Sequence, residues 1–345
     1  MSLPTIELDI EDPDALIAYL RAQSYIEDEE VPFIHVLAGG VSNKTVLVKR
    51  SSGDAWVVKQ ALPKLRVAAD WFCSPDRIIR EAEGMRSLYD LAPPGTITQM
   101  IALDPANFLL LMEAVPEPHA NWKSMLLNGE IVDDHFKQFG ELLAAIHSRS
   151  RLDLSLATAF DDRGYFESLR LEPYYSYALS NVCEAHFLAD LIEQTRLRRF
   201  TLVHGDYSPK NVLDHNGKLV LLDHEVIHFG DPAFDIGFSL THILSKAHHL
   251  PNHRDAFLSM ARRYWQTYTH SIGDTSWDPD LERFAVLHTL GCLMARVAGR
   301  SPLEYLSQDE RNRQKRIVLK LADKVPSSIP ELISQFTQEL KHDYD

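Results

Sequence analysis

The residue types best able to do chemistry in this 345-residue chain lie near its middle. Residues 202–213 carry Asp206 and, five positions later, the amide of Asn211, while residues 221–225 carry the carboxylates of Asp223 and Glu225. Oxygen ligands of this kind suit a hard cation such as Mg²⁺, which keeps water and phosphate oxygens as its other ligands. The spacing therefore indicates phosphoryl transfer, in which one Asp orients the acceptor hydroxyl while an Asn and an Asp hold metal on the phosphates.

The motif His-Gly-Asp at 204–206, with Asn211 and then Asp223, resembles the catalytic and metal-binding segments of the aminoglycoside phosphotransferase-like kinases. The resemblance implies an α+β, two-lobed protein-kinase-like fold, with an antiparallel-sheet N-lobe and a mostly helical C-lobe. It implies ATP-dependent, Mg²⁺-requiring transfer of the γ-phosphoryl group to a hydroxyl of a small molecule. Asp206 would be catalytic, and Asn211, Asp223 and Glu225 would bind metal. The choice between ATP and GTP, and between one metal and two, stays open.

Upstream segments match the same superfamily in the same order and would form the nucleotide site. Residues 37–43 resemble its phosphate loop, Lys59 its phosphate-binding strand lysine, Glu81 the helix partner of that lysine, and residues 112–115 the hinge that pairs with adenine. The implied cofactor-binding residues are Gly39, Gly40, Ser42, Asn43, Lys59, Glu81, Glu113 and Val115.

Helical periodicity singles out Glu81 independently of the resemblance. The apolar residues after Ser74-Pro75 recur at helical spacing, and Glu81 falls beside Ile78 and Met85 on that inward stripe. A carboxylate on a buried face needs a cation or strong donors. Periodicity therefore predicts a cation or strong donors beside Glu81, and the resemblance implies that Lys59 is this partner.

A narrower resemblance to methylthioribose kinases covers residues 58–63, with Trp71 and Arg77, and residues 291–296, with Gly299. The chain departs from that family at residues 207–211, which follow the broader phosphotransferase pattern, and Asp223-His224-Glu225 stands where those kinases have Asp-Pro-Glu. A methylthioribose kinase-like sugar kinase is thus one alternative function. A non-catalytic nucleotide-binding module is another, although the intact catalytic set argues against it.

The acceptor site is predicted from three residues: Trp71, Arg296 and Arg300. Arg296 lies in an apolar helical stretch, and Arg300 is expected near the same face four residues on. Two guanidinium groups there could hold an anionic or hydroxyl-rich substrate or could form a structural ion pair. Trp71 could close over the acceptor or simply pack. The identity of the acceptor stays open, although the net charge of −14 could favour a cation such as an aminoglycoside or choline.

Three other polar residues of the motif region are interpreted as structural. His204 is expected to hydrogen-bond to backbone, and Asp235 to bond the catalytic-loop backbone from below. Asp231, followed by Pro232, is typical of a helix N-cap.

The secondary structure predicted to position these residues changes near residue 115 from mainly strands to mainly helices. Before it, β-like runs at 33–38, 45–49 and 55–60, separated by turn residues, predict an antiparallel meander. After it the pattern is mostly helical. We therefore predict a nucleotide-binding lobe at 1–115 and a catalytic, substrate-binding lobe at 116–345.

Composition narrows the expected partners and the expected cellular compartment. The acidic balance disfavours nucleic acid as a partner, because phosphate backbones need a basic footprint. Three dispersed cysteines favour a reducing cytoplasm over a disulfide framework. The N-terminus does not read as a signal peptide, and there is no apolar run of about 18 residues to span a membrane. The expected partners are a nucleotide and a small hydroxylated substrate, and a homodimer is one assembly state left open.

Overall fold

The computed structural model describes residues 8–38, 40–67 and 70–342. The chain divides into two compact units, the first formed by residues 1–90 and 97–118 and the second by residues 91–96 and 119–345. No helix within the described ranges is both long enough and apolar enough to cross a bilayer.

The first unit is built on one five-stranded antiparallel sheet with strand order β1-β2-β3-β5-β4. Its elements are α1 (Pro13–Ala22), β1 (Phe33–Val36), β2 (Asn43–Lys49), β3 (Ala55–Ala61), α2 (Arg77–Leu91), β4 (Met100–Asp104) and β5 (Leu109–Glu113).

One face of this sheet forms the core of the first unit. Alternate residues of a strand point to the same face, and the pairs Val46/Val48 of β2 and Leu109/Leu111 of β5 are fully buried with Val58 of β3. Helix α1 covers this face with its own buried leucines. The opposite face carries Lys59, one residue beyond Val58 on β3.

The second unit is mostly helical. Its strands are β6 (His119–Asn121), β7 (Thr201–Val203), β8 (Val212–His215), β9 (Lys218–Leu221) and β10 (His228–Gly230). Its helices are α3 (Trp122–Leu127), α4 (Asp133–Ser150), α5 (Leu154–Ala159), α6 (Gly164–Phe166), α7 (Tyr177–Asn181), α8 (Phe187–Leu197), α9 (Pro232–His249), α10 (Arg254–Ile272), α11 (Leu281–Ala298), α12 (Gln308–Asp323) and α13 (Ile329–His342). A π-helical segment, Glu167–Ser176, follows α6.

Close helix packing fixes the middle of this unit. A Cβ added at Gly237 of α9 would lie 2.5 Å from the Cβ of His288 on α11, so only glycine permits this approach. Helix α9 begins at Asp231, whose side chain accepts a hydrogen bond from the backbone N–H of Ala233 as an N-cap. The interpretation of Asp231 as a cap is confirmed.

Short strands hold the chemically interesting segments between these helices. β7 pairs with β10, and β8 lies between β6 and β9. The β8–β9 hairpin turns at Asn216-Gly217, as its sequence predicts. The loop after β7 and the loop after β9 therefore stand at the ends of paired strands.

Candidate active site

The catalytic loop predicted from the sequence follows β7 directly. Gly205 has φ +76°, a left-handed conformation that favours glycine, and an added Cβ would lie 2.9 Å from Cγ2 of Val226. The glycine of the His-Gly-Asp motif is thus required both by backbone angle and by space. It turns the chain so that Asp206 follows in a defined position.

Asp206 is buried and has two side-chain partners. The amide Nδ2 of Asn211 donates to Asp206 Oδ2 over 2.7 Å and to the Asp206 backbone carbonyl over 3.0 Å. The guanidinium Nη2 of Arg170 lies 2.8 Å from the same Oδ2. Both partners occupy Oδ2, so Oδ1 is the oxygen that an approaching hydroxyl would meet.

Sequence reasoning missed Arg170, which lies in the π-helical segment. Its Nε also donates to the carbonyl of Gly205 over 2.9 Å, so this one planar group bridges two residues of the catalytic loop. Burial alone would lower the pKa of Arg170, but the negative charges of Asp206, Glu225 and Asp223 outweigh burial and raise it. Arg170 is therefore a cation held among three carboxylates, and no motif in the sequence marked it.

The loop is supported from below by Asp235 of α9, as predicted. Its two carboxylate oxygens accept hydrogen bonds from the backbone N–H groups of His204, over 2.6 Å, and Gly205, over 2.8 Å. The imidazole Nδ1 of His204 accepts from the backbone N–H of Asp206 over 3.2 Å. The predicted hydrogen bonds of His204 and Asp235 to the backbone of this loop are confirmed.

The loop after β9 brings two further carboxylates close together. The backbone N–H of Leu222 donates to the carbonyl of Asn211 over 2.9 Å, which ties the loop after β9 to the catalytic loop. Asp223 has φ +70°, a strained angle outside glycine. A carboxylate oxygen of Asp223 and one of Glu225 lie within 4.8 Å of each other. With the amide oxygen of Asn211, these are hard ligands only, and such a donor set fits Mg²⁺.

In the first unit, Lys59 of β3 pairs with Glu81 of α2. Lys59 Nζ lies 2.5 Å from Glu81 Oε1; the Glu81 side chain is buried, with 1% of its surface exposed, and that of Lys59 is 12% exposed. The inward position of Glu81, predicted from helical period, places its carboxylate against this ammonium. The pair therefore holds the lysine in one orientation on the sheet.

The segment predicted as a phosphate loop runs between β1 and β2. Gly39 lies outside the described residues. Gly40 is close to the backbone, since an added Cβ would lie 2.9 Å from the carbonyl oxygen of Asn43. Ser42 and Asn43 are buried, and the guanidinium of Arg77 donates to the Ser42 carbonyl. This contact fixes the loop to the start of α2.

The residues predicted as a hinge follow β5. The backbone N–H groups of Glu113 and Ala114 donate to the carbonyls of Gln99 and Ala55, each over 2.9 Å. Val115 is buried, whereas the side chain of Glu113 is exposed. Their role towards a nucleotide base stays a prediction.

The three predicted acceptor residues have different settings. Trp71 belongs to the first unit and is half-buried. Arg296 is buried on α11 and donates from Nη1 to the hydroxyl of Tyr174 over 3.0 Å. The prediction that Arg300 shares its helical face is wrong, because α11 ends at Ala298; Arg300 is exposed, and its guanidinium lies 5.5 Å from the ring centre of Tyr177.

Comparison with known proteins identifies the family. The sequence pattern that defines the phosphotransferase enzyme family matches residues 34–273, which is more than half of the chain. The chain therefore belongs to this family, and the recognition made from the motifs is confirmed.

Several relatives are methylthioribose kinases. That of Citrobacter koseri is 26% identical over 263 residues, covering 68% of this chain and 64% of that protein. That of Cronobacter sakazakii is 24% identical over 215 residues, covering 54% and 53%. The chain thus spans between about half and two thirds of the length of these relatives.

Solved structures share the fold at low sequence identity. The ethanolamine kinase of Plasmodium vivax has a TM-score of 0.55 at 13% identity, covering 98% of this chain and 90% of that one. The macrolide 2'-phosphotransferase of Brachybacterium faecium has a TM-score of 0.52 at 14% identity, covering 91% and 99%. The predicted α+β fold of a sheet-based unit and a helical unit is confirmed.

Proposed function

We propose that this protein is a small-molecule kinase that moves the γ-phosphoryl group of ATP to a hydroxyl of its substrate, with Mg²⁺. The observation that carries the proposal is the environment of Asp206. In a chain of the phosphotransferase enzyme family, this carboxylate is held by Asn211 and Arg170 through Oδ2, while Oδ1 is left to accept a proton.

The second unit would supply the groups that act on the acceptor and hold the metal. Asp206 Oδ1 would orient the acceptor hydroxyl and take its proton as the new O–P bond forms. Asn211, Asp223 and Glu225 would hold Mg²⁺, because their oxygens form an all-hard ligand set. Bound Mg²⁺ would neutralise charge on the phosphate oxygens.

The first unit would supply the groups that bind the nucleotide. Lys59, fixed by Glu81, would bind the α- and β-phosphates as a point charge. Backbone N–H groups around Gly39, Gly40, Ser42 and Asn43 would cover the phosphates, and Glu113 and Val115 would contact the base. Because the reaction needs positioning and charge compensation rather than covalent help, rigid support of these groups is what matters most.

The experiment is an ADP-release assay with Mg·ATP and a panel of hydroxylated acceptors, on wild type and Asp206→Ala. A positioned acid–base group contributes about 10²–10⁴-fold to rate, so the variant should lose at least about 100-fold in turnover while nucleotide still binds. Asp190→Ala removes an exposed carboxylate on α8 and should leave turnover unchanged. Equal turnover in Asp206→Ala and wild type would remove the assigned role.

A sugar kinase acting on methylthioribose is a second candidate, supported by the sequence similarity to methylthioribose kinases. Methylthioribose therefore belongs in the acceptor panel. If the protein bound nucleotide but released no ADP with any acceptor, the alternative of a non-catalytic nucleotide-binding module would replace both.

A further inference from the structure

A cluster of four basic side chains, three of them buried, lies in the second unit, outside the groups assigned to catalysis. It consists of Lys123 of α3, His242 and Lys246 of α9, and Arg296 of α11, gathered around Tyr305, and we call it the basic cluster. Cations are rarely buried unless they are paired. The three buried members, which come from two helices, therefore need an explanation.

The two lysines approach the same aromatic ring. Lys246 Nζ lies 5.5 Å and Lys123 Nζ 6.0 Å from the ring centre of Tyr305. Lys246 has none of its surface exposed, and its described hydrogen bond goes to the backbone carbonyl of His242, over 3.2 Å, one turn earlier on α9. A backbone carbonyl does not neutralise an ammonium group.

The polar atoms of the other members are incompletely used. Within the described part of the chain, His242 Nε2, Arg296 Nε and the hydroxyl of Tyr305 are buried without a hydrogen-bond partner. His242 and Arg296 are each more than nine-tenths buried. Unpartnered buried polar atoms are costly and rare in native proteins, so these three atoms have hydrogen-bonding capacity that the described residues do not use.

The charged groups that act on Lys246 are mostly positive. Glu304 is the carboxylate that acts on Lys246, and it is already paired with Lys123. Burial, followed by repulsion from Lys123 and partly from Arg296, lowers the pKa of Lys246 to about 7. Burial and the neighbouring cations Arg296, Lys246, Lys123 and Lys210 hold the pKa of His242 well below its usual range.

The basic cluster and the proposed catalytic carboxylate meet at one tyrosine. Arg296 donates to the hydroxyl of Tyr174, and the guanidinium of Arg170 lies 5.8 Å from the centre of the same ring. Arg170 in turn bonds Asp206. Tyr174 therefore links the basic cluster to the residues that hold Asp206, within one unit.

We propose that the basic cluster binds an anionic group of the phosphoryl acceptor, so that the substrate is a small hydroxylated molecule carrying a carboxylate or a phosphate. This inference rests on the proposed function and names its substrate class. It reverses the expectation of a cationic acceptor drawn from net charge, because the charges around Lys246 are mostly positive although the chain as a whole is acidic. A carboxylate or phosphate would pair with Lys246 and Arg296 and use their remaining donors.

The experiment offers matched acceptors in three forms: glycerol, glycerate and glycerol phosphate, and likewise ribose, ribonate and ribose phosphate, with choline as the cation. ADP release with Mg·ATP and direct binding by calorimetry are measured on wild type, Lys246→Met and Lys320→Met. Lys320 is exposed on α12 and pairs with Glu339, so its variant controls for loss of one positive charge. The preferred form, acid or ester, identifies the anionic group.

We expect wild type to bind and phosphorylate an anionic form in preference to the matched polyol. Lys246→Met should raise the KM for that form about 10- to 100-fold, which is the loss of one hydrogen bond to a charged group. Replacing a buried charge by an apolar side chain is often neutral for folding. Lys123→Met, at a partly exposed position, provides a second variant with the same expected direction.

The two proposals fail in distinguishable ways. Phosphorylation of a neutral polyol or choline in preference to the anionic forms, or an unchanged KM in both lysine variants, would overturn the anion site while the kinase function stands. Lys246-dependent binding of anions without ADP release from any acceptor would uphold the anion site and overturn the kinase function. Absence of anion binding to wild type would overturn the anion site.

Discussion

Replacing Arg170 with Met tests whether the proposed catalytic carboxylate depends on a buried cation. The guanidinium bonds Asp206 Oδ2 over 2.8 Å and the Gly205 carbonyl over 2.9 Å, and the two side chains are only 10% and 11% exposed. Met keeps much of the side-chain volume and removes both bonds. Asp206 would then be a buried carboxylate without its ion-pair partner.

The magnitude follows from this burial. Breaking a buried ion pair by removing one partner costs about 3–5 kcal/mol, because the remaining charge stays desolvated. An exposed ion pair contributes about 0.2–1 kcal/mol. Arg196, which pairs with Glu167 over 3.0 Å and is 40% exposed, is the matched exposed case in the same unit.

Urea unfolding measures both variants under the same conditions. We expect Arg170→Met to lower the free energy of unfolding by about 3–5 kcal/mol, and Arg196→Met to lower it by no more than about 1 kcal/mol. Adding Asp206→Asn to Arg170→Met removes the orphaned charge and should restore part of the loss, with a coupling energy of about 0.5–3 kcal/mol.

The reasoning would be refuted by a small effect. If Arg170→Met cost no more than Arg196→Met, or if the double-mutant cycle gave no coupling, Arg170 would not hold Asp206 in solution. Arg170 would then no longer be held to orient the proposed catalytic carboxylate of Asp206.

Three further predictions use matched pairs or pH. Gly205→Ala should lower the free energy of unfolding by about 1–3 kcal/mol, because it adds backbone strain and a steric clash. Gly217→Ala, at φ +80° with open space around it, should lower it less in the same urea titration. Equal losses in the two variants would contradict the packing argument. Folding lowers the pKa of Lys246 from 10.5 to about 7, so between these pH values the unfolded chain binds one more proton than the folded chain. The free energy of unfolding of wild type, relative to that of Lys246→Met, should therefore rise between pH 7 and 10.5 by up to about 5 kcal/mol. A difference that stays flat across that range would show that Lys246 titrates normally. Glu81→Gln should lower turnover about 10-fold, because it loses a charge-assisted hydrogen bond to Lys59. Glu83→Gln, at a half-exposed position on the same helix, should leave turnover unchanged. Equal ADP release by the two variants would remove Glu81 from the proposal.

The sequence was most informative where chemistry and periodicity coincide. The inward carboxylate of Glu81 could be predicted because a charged residue on an apolar stripe requires a partner, and the structure supplies Lys59. His204 could be assigned to loop support because an imidazole beside two anions tends to hydrogen-bond to backbone, and Asp235 because residues 230–235 resemble the family segment that follows the predicted metal-binding Asp223. Both predictions depend on residue type and motif, which the sequence shows directly.

Features that depend on tertiary contacts were missed. Strand β4 (Met100–Asp104) has no strong alternation and is held by pairing with β5. Arg170 lies in an irregular π-helical segment, where spacing does not show which way a side chain points. Lys246 is one lysine in an apolar helix, and only the fold brings Lys123 and Arg296 near it.

One prediction failed because a helix boundary was misplaced. Arg300 was expected on the face of Arg296, but α11 ends two residues before Arg300, and the backbone N–H of Arg300 donates to the Pro173 carbonyl over 2.8 Å. Helix ends are set by a few local hydrogen bonds that apolar periodicity does not report. Gly299 follows the last helical residue, a position where glycine often ends helices.

The most direct test of the central claim follows the phosphoryl group itself. ATP labelled with ¹⁸O in the γ-phosphoryl group is incubated with the protein, Mg²⁺ and the acceptor panel, and the masses of the products are measured by mass spectrometry. The proposal predicts that wild type places the label in a phosphate ester of one acceptor and that Asp206→Ala forms none at a comparable rate. Label recovered only in inorganic phosphate, at the same rate in both proteins, would contradict it.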